Sequence, residues 1–357
     1  MYFTANYSII LYFRIMVLVT GGTGLIGSHL LYCLCKKGIK IRAFKRPQSD
    51  LQKVKQVFSY YQNDVESLFQ LIEWVDGDVL DYWSVADAMK EVSQVYHCAA
   101  LVYASGPLQK EMLETNIQGT TNMVNAALEH GQIKFCHVSS TATLPPSAHP
   151  FAKNDIITET NSWQTEYAAS DYSLSKYAAE KEVWRASEEG LDIVVVNPGI
   201  VIGPGNWNSG SSSMISLASK GLPYYTDGGT GFVGVTDVVH CMVNLMEGTY
   251  KNERYILVAE NLAFRHFFDL AQTQFGKSRA TIHVGKLGGA FYWRLAALGA
   301  FFTKKSPTIT KETAHNAQVT RRYSNTKITK TLGFEFKKME EVIIETCKHL
   351  QTELEGA

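Results

Sequence analysis

Tyr172 and Lys176 form a pair whose chemistry and spacing suit proton transfer. Four positions apart on a helix, they would lie on one face, one turn from each other. An unperturbed phenol titrates at about pH 10, and a nearby ammonium lowers the pKa of the phenol by favouring the phenolate. Tyr172 could then exchange a proton with a substrate oxygen while a hydride moves at the carbon. The alternative is a solvated tyrosine stacked on the lysine stem.

Three hydroxyl side chains, Ser139, Ser140 and Thr141, stand at the end of a predicted strand over residues 134–139. The C-terminal end of a sheet strand is where a polar group can reach the ligand crevice. A hydroxyl there could bond the substrate carbonyl and hold it against Tyr172. The alternative is that these hydroxyls bond the local backbone. We expect one of the three to be functional and the others to be local.

A glycine-rich stretch, MVLVTGGTGLIGS over residues 16–28, predicts a nucleotide site. Its first residues are apolar and β-branched, which is typical of a buried parallel strand. Gly21, Gly24 and Gly27 follow, and a helical apolar face comes after them. Glycines at this spacing let the backbone approach a pyrophosphate at a helix N-terminus. The alternative is a tight turn that only packs the helix on the strand.

The elements that would position these residues alternate between strands and helices as far as Pro198. Such alternation predicts an α/β fold, a doubly wound parallel sheet of the Rossmann type, with a smaller C-terminal substrate lobe. The predicted units are an N-terminal extension over 1–15, a dinucleotide-binding domain over 16–200 to which 232–260 return, and a substrate lobe over 201–231 and 261–357.

Taken together, these motifs resemble those of the extended short-chain dehydrogenases/reductases, in the superfamily of NAD-dependent epimerase/dehydratase domains, dihydroflavonol reductase-like. The resemblance runs from about Met16 to Leu350. It is carried by residues 20–27 (TGGTGLIG), 77–78 (GD), 97–100 (HCAA), Asn116 with Gly119 and Thr120, 139–141 (SST), Tyr172 with Lys176, and 197–199 (NPG).

The resemblance implies roles for individual residues. The pyrophosphate would be held by the loop of Gly21, Thr23, Gly24, Leu25, Ile26 and Gly27. The adenine would contact Asp78 and Val79, the ribose side would be lined by Ala99 and Ala100, and the nicotinamide would be flanked by Pro198 and Ile200. The catalytic hydroxyl would be Thr141, with Ser140 as the second choice, beside Tyr172 and Lys176. Lys176 would also bond the nicotinamide ribose, and Asn116 would support it through water.

Basic residues at the end of the second strand favour NADP over NAD. The segment 41–46 reads IRAFKR and holds no carboxylate, whereas NAD sites usually place an acidic residue there. Arginine suits a 2′-phosphate, so we expect Arg46 to bind it, with Lys45 or Arg42 as further contacts. The alternative is a solvated basic turn.

Composition is that of an ordinary globular chain of 357 residues with a formal net charge of zero. The charge gives no argument for a nucleic-acid partner. The six cysteines include no CxxC pair, so we expect reduced thiols, no metal site and a cytoplasmic protein. No membrane partner is expected, and a homodimer is left open.

Two apolar segments are too short to span a bilayer. Residues 1–15 carry one basic residue, at their far end, and we interpret them as the product of an upstream start, with Met16 as the true start. An amphipathic extension is the alternative. Residues 287–302 are interpreted as a helix packed on the protein itself, the alternative being an apolar surface for a membrane or a second copy.

The preferred function is an NADP-dependent oxidoreductase that reduces a ketone or aldehyde, or oxidises the alcohol, with Tyr172 as acid/base. One alternative is a nucleotide-sugar epimerase or dehydratase. Leu144, Gly234 and Thr236 stand where such enzymes often have other residues, so the sequence speaks against a sugar nucleotide. A non-catalytic nucleotide-binding protein is the other alternative, since a fold alone does not fix function.

Overall fold

The computed structural model describes residues 16–102, 109–146, 156–163, 170–285 and 311–356. Both apolar segments singled out above, 1–15 and 287–302, lie outside these ranges. No helix within them is long and apolar enough to cross a membrane.

A seven-stranded parallel sheet forms the centre of the molecule. Its strands, in chain order, are β1 (Met16–Thr20), β2 (Lys40–Lys45), β3 (Ile72–Asp76), β4 (Val92–His97), β5 (Lys134–Val138), β7 (Asp192–Pro198) and β11 (Glu253–Leu257). They lie side by side in the order β3-β2-β1-β4-β5-β7-β11. Strands β1, β5 and β7 are buried at every residue but the first, as expected of a sheet that is covered on both faces.

Helices cover both faces of this sheet. One face carries α1 (Leu25–Lys36), α2 (Gln52–Ser59), α3 (Val65–Phe69) and α8 (Val235–Glu247). The other carries α4 (Tyr82–Ala88), α5 (Gln109–His130) and α6 (Asp171–Glu188). Alternate residues of β1 face the two cores, with Val17 and Val19 in the first and Leu18 in the second. The predicted doubly wound α/β fold is confirmed.

The strand order reverses between β1 and β4, since the chain runs outward from β1 in one direction and from β4 in the other. At such a switch point the loops that leave the two strands diverge and open a crevice at the carboxyl edge. The glycine loop after Thr20 and the segment after His97 both begin at this edge. The fold therefore brings the predicted cofactor residues to one place.

The remaining elements form a smaller unit beside this edge. Its strands are β6 (Ile156–Ile157), β8 (Ile200–Ile202), β9 (Tyr224–Tyr225), β10 (Gly229–Gly234), β12 (Glu260–Ala263), β13 (Ile282–His283) and β14 (Arg322–Tyr323). Its helices are α7 (Ser212–Lys220), α9 (Phe264–Gln274), α10 (Lys311–Asn316) and α12 (Met339–Glu355). Helix α11 (Thr326–Leu332) packs through Ile328 on the core of the large sheet. Strands β12, β10 and β8 make a three-stranded sheet, packed on a core that includes Ile215, Phe267 and Ile343. The boundaries drawn between the two predicted domains stay a prediction.

Candidate active site

Helix α6 carries Tyr172 and Lys176 at the predicted spacing. Ser170 caps the helix, because its Oγ accepts a 3.0 Å hydrogen bond from the backbone N–H of Ser173. Lys176 is buried, 3% exposed, and its Nζ donates a 2.8 Å hydrogen bond to the carbonyl oxygen of Val138 at the end of β5. The cap and this bond fix the first two turns of α6 against the strand that leads to the hydroxyl cluster.

Burial shifts the pKa values of both Tyr172 and Lys176. It lowers the pKa of Lys176 to about 8, an effect that the charge of Glu180 opposes. It also raises the pKa of Tyr172, while a hydrogen bond with the Ser140 hydroxyl acts in the opposite direction. The sequence suggested that Lys176 lowers the pKa of Tyr172. No such effect appears in this arrangement, because the ammonium is directed at Val138. Tyr172 is therefore a protonated phenol at neutral pH, which suits a proton donor.

Ser140 is the hydroxyl that the structure brings to Tyr172. It caps the 3₁₀ turn Thr141–Thr143, where its Oγ accepts a 3.1 Å hydrogen bond from the N–H of Ala142. Thr141 lies in the turn and is 6% exposed. Ser139 points elsewhere and donates a 2.5 Å hydrogen bond to Glu180. The role of Thr141 as the substrate hydroxyl stays a prediction, as does that of Ser140.

Glu180 is a buried carboxylate that the sequence analysis did not single out. It is 2% exposed and accepts hydrogen bonds on both oxygens. One oxygen accepts hydrogen bonds from Ser139, Thr143 (2.9 Å) and Asn197 (3.0 Å). The other accepts from Trp184 (3.1 Å) and Arg254 (3.3 Å). Glu180 thus joins α6 to the ends of β5 and β7. Its position four residues after Lys176, on the same helix face, was the signal that could have revealed it.

Asn116 lies on α5 and is 1% exposed. Its amide oxygen accepts from the N–H of Leu101 at 2.7 Å, and its amide nitrogen donates to the carbonyl of Leu101 and to Ser175 Oγ, each at 3.0 Å. Asn116 therefore anchors the segment after β4 and contacts the helix that holds Lys176. Its support of Lys176 through water stays a prediction.

The glycine loop forms a cradle that has no room for side chains. A Cβ at Gly27 would lie 2.2 Å from the carbonyl oxygen of Gly21, and one at Gly21, where φ is +69°, would lie 2.6 Å from the nitrogen of Ala99. Gly24 caps α1 without a side-chain hydrogen bond, so the first N–H groups of the helix are available to an anion. Thr23, Leu25 and Ile26 lie half-buried along this loop. The cradle fits a dinucleotide pyrophosphate.

The predicted adenine and ribose residues lie around this cradle. Asp78 forms a turn in which its carboxylate accepts from the N–H of Leu80 at 3.0 Å, and Val79 is buried against Gly119. Ala99 donates its N–H to Thr20 Oγ1 at 3.3 Å and is followed by Ala100, and both alanines are half-buried.

At the far end of the crevice, Gly199 separates Pro198 from Ile200. A Cβ at Gly199 would lie 2.3 Å from the carbonyl oxygen of Gly231, so this turn lies directly against β10.

The three basic residues near the end of β2 differ in their contacts. Arg42 binds Glu73 and donates to the carbonyls of Ala88 and Lys90, so it has a structural role. Lys45 pairs with Asp76. Arg46 is exposed, and its guanidinium has no hydrogen bond or ion pair within the described part of the chain. Of the three, Arg46 is the cation left available to a phosphate.

Comparison with known proteins agrees with this geometry. The family model described as NAD dependent epimerase/dehydratase family matches residues 17–257. The chain is similar to a putative dihydroflavonol 4-reductase of Synechocystis sp. (29% identity over 69% of this chain and 68% of that protein) and to cinnamoyl-CoA reductase 1 of Petunia hybrida (26% over 94% and 92%). It shares its fold with Gre2 of Candida albicans, solved with NADPH (TM-score 0.71, 22% identity, 95% and 99% covered).

With these similarities the chain is assigned to a class that combines NAD(P)-dependent oxidoreductases and epimerases. The matched region extends from β1, before the glycine cradle, to β11 at the sheet edge, and it contains Ser140, Tyr172 and Lys176. The chain belongs to the NAD dependent epimerase/dehydratase family.

Proposed function

We propose that the protein is an NADP-dependent reductase of a ketone or aldehyde, which also oxidises the corresponding alcohol. The observation that carries the proposal is the hydrogen bond between the Tyr172 phenol and the Ser140 hydroxyl, on the helix whose buried Lys176 ammonium is bonded to Val138. The similarity to reductases, including the cinnamoyl-CoA and dihydroflavonol enzymes, supports reduction over epimerisation.

The chain's own groups account for the proton half of the reaction. Tyr172, protonated because burial raises its pKa, donates its proton to the substrate oxygen as negative charge develops there. Ser140 or Thr141 donates a hydrogen bond that orients that oxygen. Lys176 holds α6 against the end of β5 through its bond to Val138, and we propose that it also bonds the nicotinamide ribose. The cofactor, when bound, supplies the hydride.

A preference for NADP is supported by Arg46. A 2′-phosphate is recognised well by a guanidinium that offers several donors. Among the residues that the structure describes, Arg46 has no competing carboxylate partner, unlike Arg42 and Lys45. The six cysteines are free thiols, which fits the reducing cytoplasm that we propose as the location.

The test is cofactor oxidation with a panel of ketones and aldehydes, each measured with NADPH and with NADH, in the wild type and in Tyr172→Phe. We expect turnover with NADPH, weaker turnover with NADH, and a fall of about 10²-fold or more in the variant. Equal turnover by wild type and variant on every substrate would contradict the proposal. Tyr224→Phe, a half-exposed tyrosine of the smaller unit, is the matched control.

A further inference from the structure

A buried histidine, His97, ends β4 directly before the segment that lines the predicted ribose side of the crevice. Its side chain is 1% exposed and both of its ring nitrogens have partners. Nδ1 lies 2.8 Å from Thr20 Oγ1, and Nε2 lies 3.1 Å from Thr120 Oγ1. Thr20 ends β1 directly before the glycine loop, whereas Thr120 lies on α5. His97 therefore connects the strand that leads into the glycine loop to helix α5.

The second partner of Thr120 fixes which ring nitrogen of His97 carries the proton. Thr120 has one hydroxyl proton, and its Oγ1 lies 2.7 Å from the carbonyl oxygen of Asn116, a group that can only accept. Thr120 therefore donates to Asn116 and accepts from His97, so Nε2 carries the N–H. Burial, together with the charge of Lys176, lowers the pKa of His97 to about 3, so the ring is neutral. Nδ1 is left as an acceptor for the Thr20 hydroxyl.

These bonds run in one direction and form what we call the His97 network. The backbone N–H of Ala99 donates to Thr20 Oγ1 at 3.3 Å, and Thr20 donates to His97. His97 then donates to Thr120, which donates to the carbonyl oxygen of Asn116. Each hydroxyl both accepts and donates, and such bonds strengthen one another in a buried network. Loss of the imidazole would interrupt the network at its middle.

Both ends of the His97 network hold the same backbone segment, residues 99–101. At one end Ala99 is bonded to Thr20. At the other end the side chain of Asn116 accepts from the N–H of Leu101 at 2.7 Å and donates to its carbonyl at 3.0 Å. Asn116 also donates to Ser175 Oγ at 3.0 Å, on the helix that carries the catalytic pair. The position of this segment relative to the glycine loop and to α6 therefore depends on bonds that pass through His97.

A second buried histidine, His137, packs on the first without such bonds. The two rings are stacked with centroids 5.5 Å apart, and His137 is 0% exposed. Within the described part of the chain, neither ring nitrogen of His137 has a hydrogen-bond partner. Since the two rings share their burial and their packing, His137 is a matched control for the hydrogen bonds of His97.

We propose that His97 is a positioning residue of the cofactor site: as a neutral imidazole protonated on Nε2, it couples Thr20 to Thr120 and thereby holds residues 99–101 where the cofactor ribose binds. The proposal rests on the proposed function, because it takes the bound group to be a nicotinamide dinucleotide. Binding sites need their backbone held to within about 0.5 Å, and buried side chains that bond the backbone supply this order.

The first test is fluorescence titration of the full chain with NADPH and with NADH, for the wild type, His97→Phe and His137→Phe. Phenylalanine keeps a buried ring at both positions but has no hydrogen-bonding atoms. We expect His97→Phe to bind the cofactor that the wild type prefers about tenfold more weakly or worse, because the bonds on both sides of the ring are lost. His137→Phe should bind it as the wild type does. Unchanged affinity in His97→Phe, or equal losses in the two variants, overturns the proposal.

Two further variants each keep one half of the His97 network, and they test the proposal even if His97→Phe does not fold. In His97→Asn the amide oxygen can replace Nδ1 and accept from Thr20. In His97→Gln the amide nitrogen can replace Nε2 and donate to Thr120. We expect both variants to bind the cofactor more weakly than the wild type does. Wild-type affinity in either variant would show that one half suffices and would overturn the coupling.

The protonation of His97 is tested by long-range proton–nitrogen NMR of the histidine side chains in the wild type between pH 5 and pH 9. We expect His97 to keep its proton on Nε2 throughout. A proton on Nδ1, or titration within this range, overturns the proposal.

The same experiments separate this proposal from the proposed function. Cofactor binding without turnover of any carbonyl contradicts the reductase function, whereas the proposal for His97 still stands or falls on the comparison of His97→Phe with His137→Phe. A wild type that binds neither cofactor contradicts both.

Discussion

The ammonium of Lys176 donates a hydrogen bond of 2.8 Å to the carbonyl oxygen of Val138, the last residue of β5. Ser140 follows two residues later, so this bond sets the height of the hydroxyl cluster relative to the helix that carries Tyr172. The same burial that makes the bond strong also makes the ammonium costly to keep charged. The catalytic pair is therefore sensitive to pH in a range that is easily measured.

Activity is expected to fall as the pH rises through about 8. The pKa of Lys176 is lowered to about 8, so the ammonium is charged below that pH and neutral above it, whereas the raised pKa of Tyr172 keeps the phenol protonated. Loss of the ammonium removes the charge from the hydrogen bond to Val138 and from the proposed bond to the nicotinamide ribose, so both become weaker. The measurement is kcat/KM for carbonyl reduction from pH 6 to 10. A profile that stays flat through pH 8–9 would contradict this role of Lys176.

Glu180→Gln is expected to move this decline to lower pH. The negative charge of Glu180 opposes the lowering of the Lys176 pKa, so its removal lets burial act in full. The variant should also unfold at a lower temperature, with a loss of about 2–4 kcal/mol, because buried donors lose a charged acceptor. Glu188→Gln, an exposed carboxylate on the same helix, is the control. A lower melting temperature with an unmoved pH profile would show that Glu180 is purely structural.

Ser140→Ala and Thr141→Val are expected to separate the two hydroxyl candidates. Ser140 bonds the Tyr172 phenol and lowers its pKa, so its loss should raise that pKa and reduce kcat by about tenfold or more. Thr141→Val conserves the shape of a buried side chain. If it reduces kcat while leaving the pH dependence unchanged, Thr141 acts on the substrate alone. Full activity in Ser140→Ala with inactivity in Thr141→Val would assign the role to Thr141.

Arg46→Gln is expected to weaken the binding of NADPH and to leave the binding of NADH unchanged. A charge-assisted hydrogen bond is worth about 1.5–3 kcal/mol, or roughly 10- to 100-fold in the KM for NADPH. Lys40→Gln, an exposed cation at the start of the same strand, is the control. Equal loss with both cofactors would mean that Arg46 acts on a part of the cofactor that the two share.

The sequence predicted the sheet and its large helices well because their signals are local. Apolar β-branched runs marked the central strands, and the spacing of Tyr172 and Lys176 predicted a helix, which is observed over Asp171–Glu188. The short strands β8, β12 and β14 went unseen because two to four residues show no period, and their partners are distant in the chain. Glu180 was missed although its spacing from Lys176 places it on the same helix face, because its importance lies in its burial and in the partners that it bonds.

Gly27→Ala is expected to abolish tight NADPH binding, whereas Gly38→Ala should preserve it. A Cβ at residue 27 would lie 2.2 Å from the Gly21 carbonyl oxygen and would push the loop out of its cradle shape. Gly38 follows α1 with φ +70°, and no atom lies within 4 Å of the position that a Cβ would occupy there. Alanine at residue 38 therefore costs about 1–2 kcal/mol of backbone strain without touching the cradle. Fluorescence titration with NADPH and thermal melts of both variants make the comparison. Because the two changes share a stability cost, a loss of affinity confined to Gly27→Ala reports on the cradle. Equal affinity in both variants would contradict the placement of the pyrophosphate on the glycine loop.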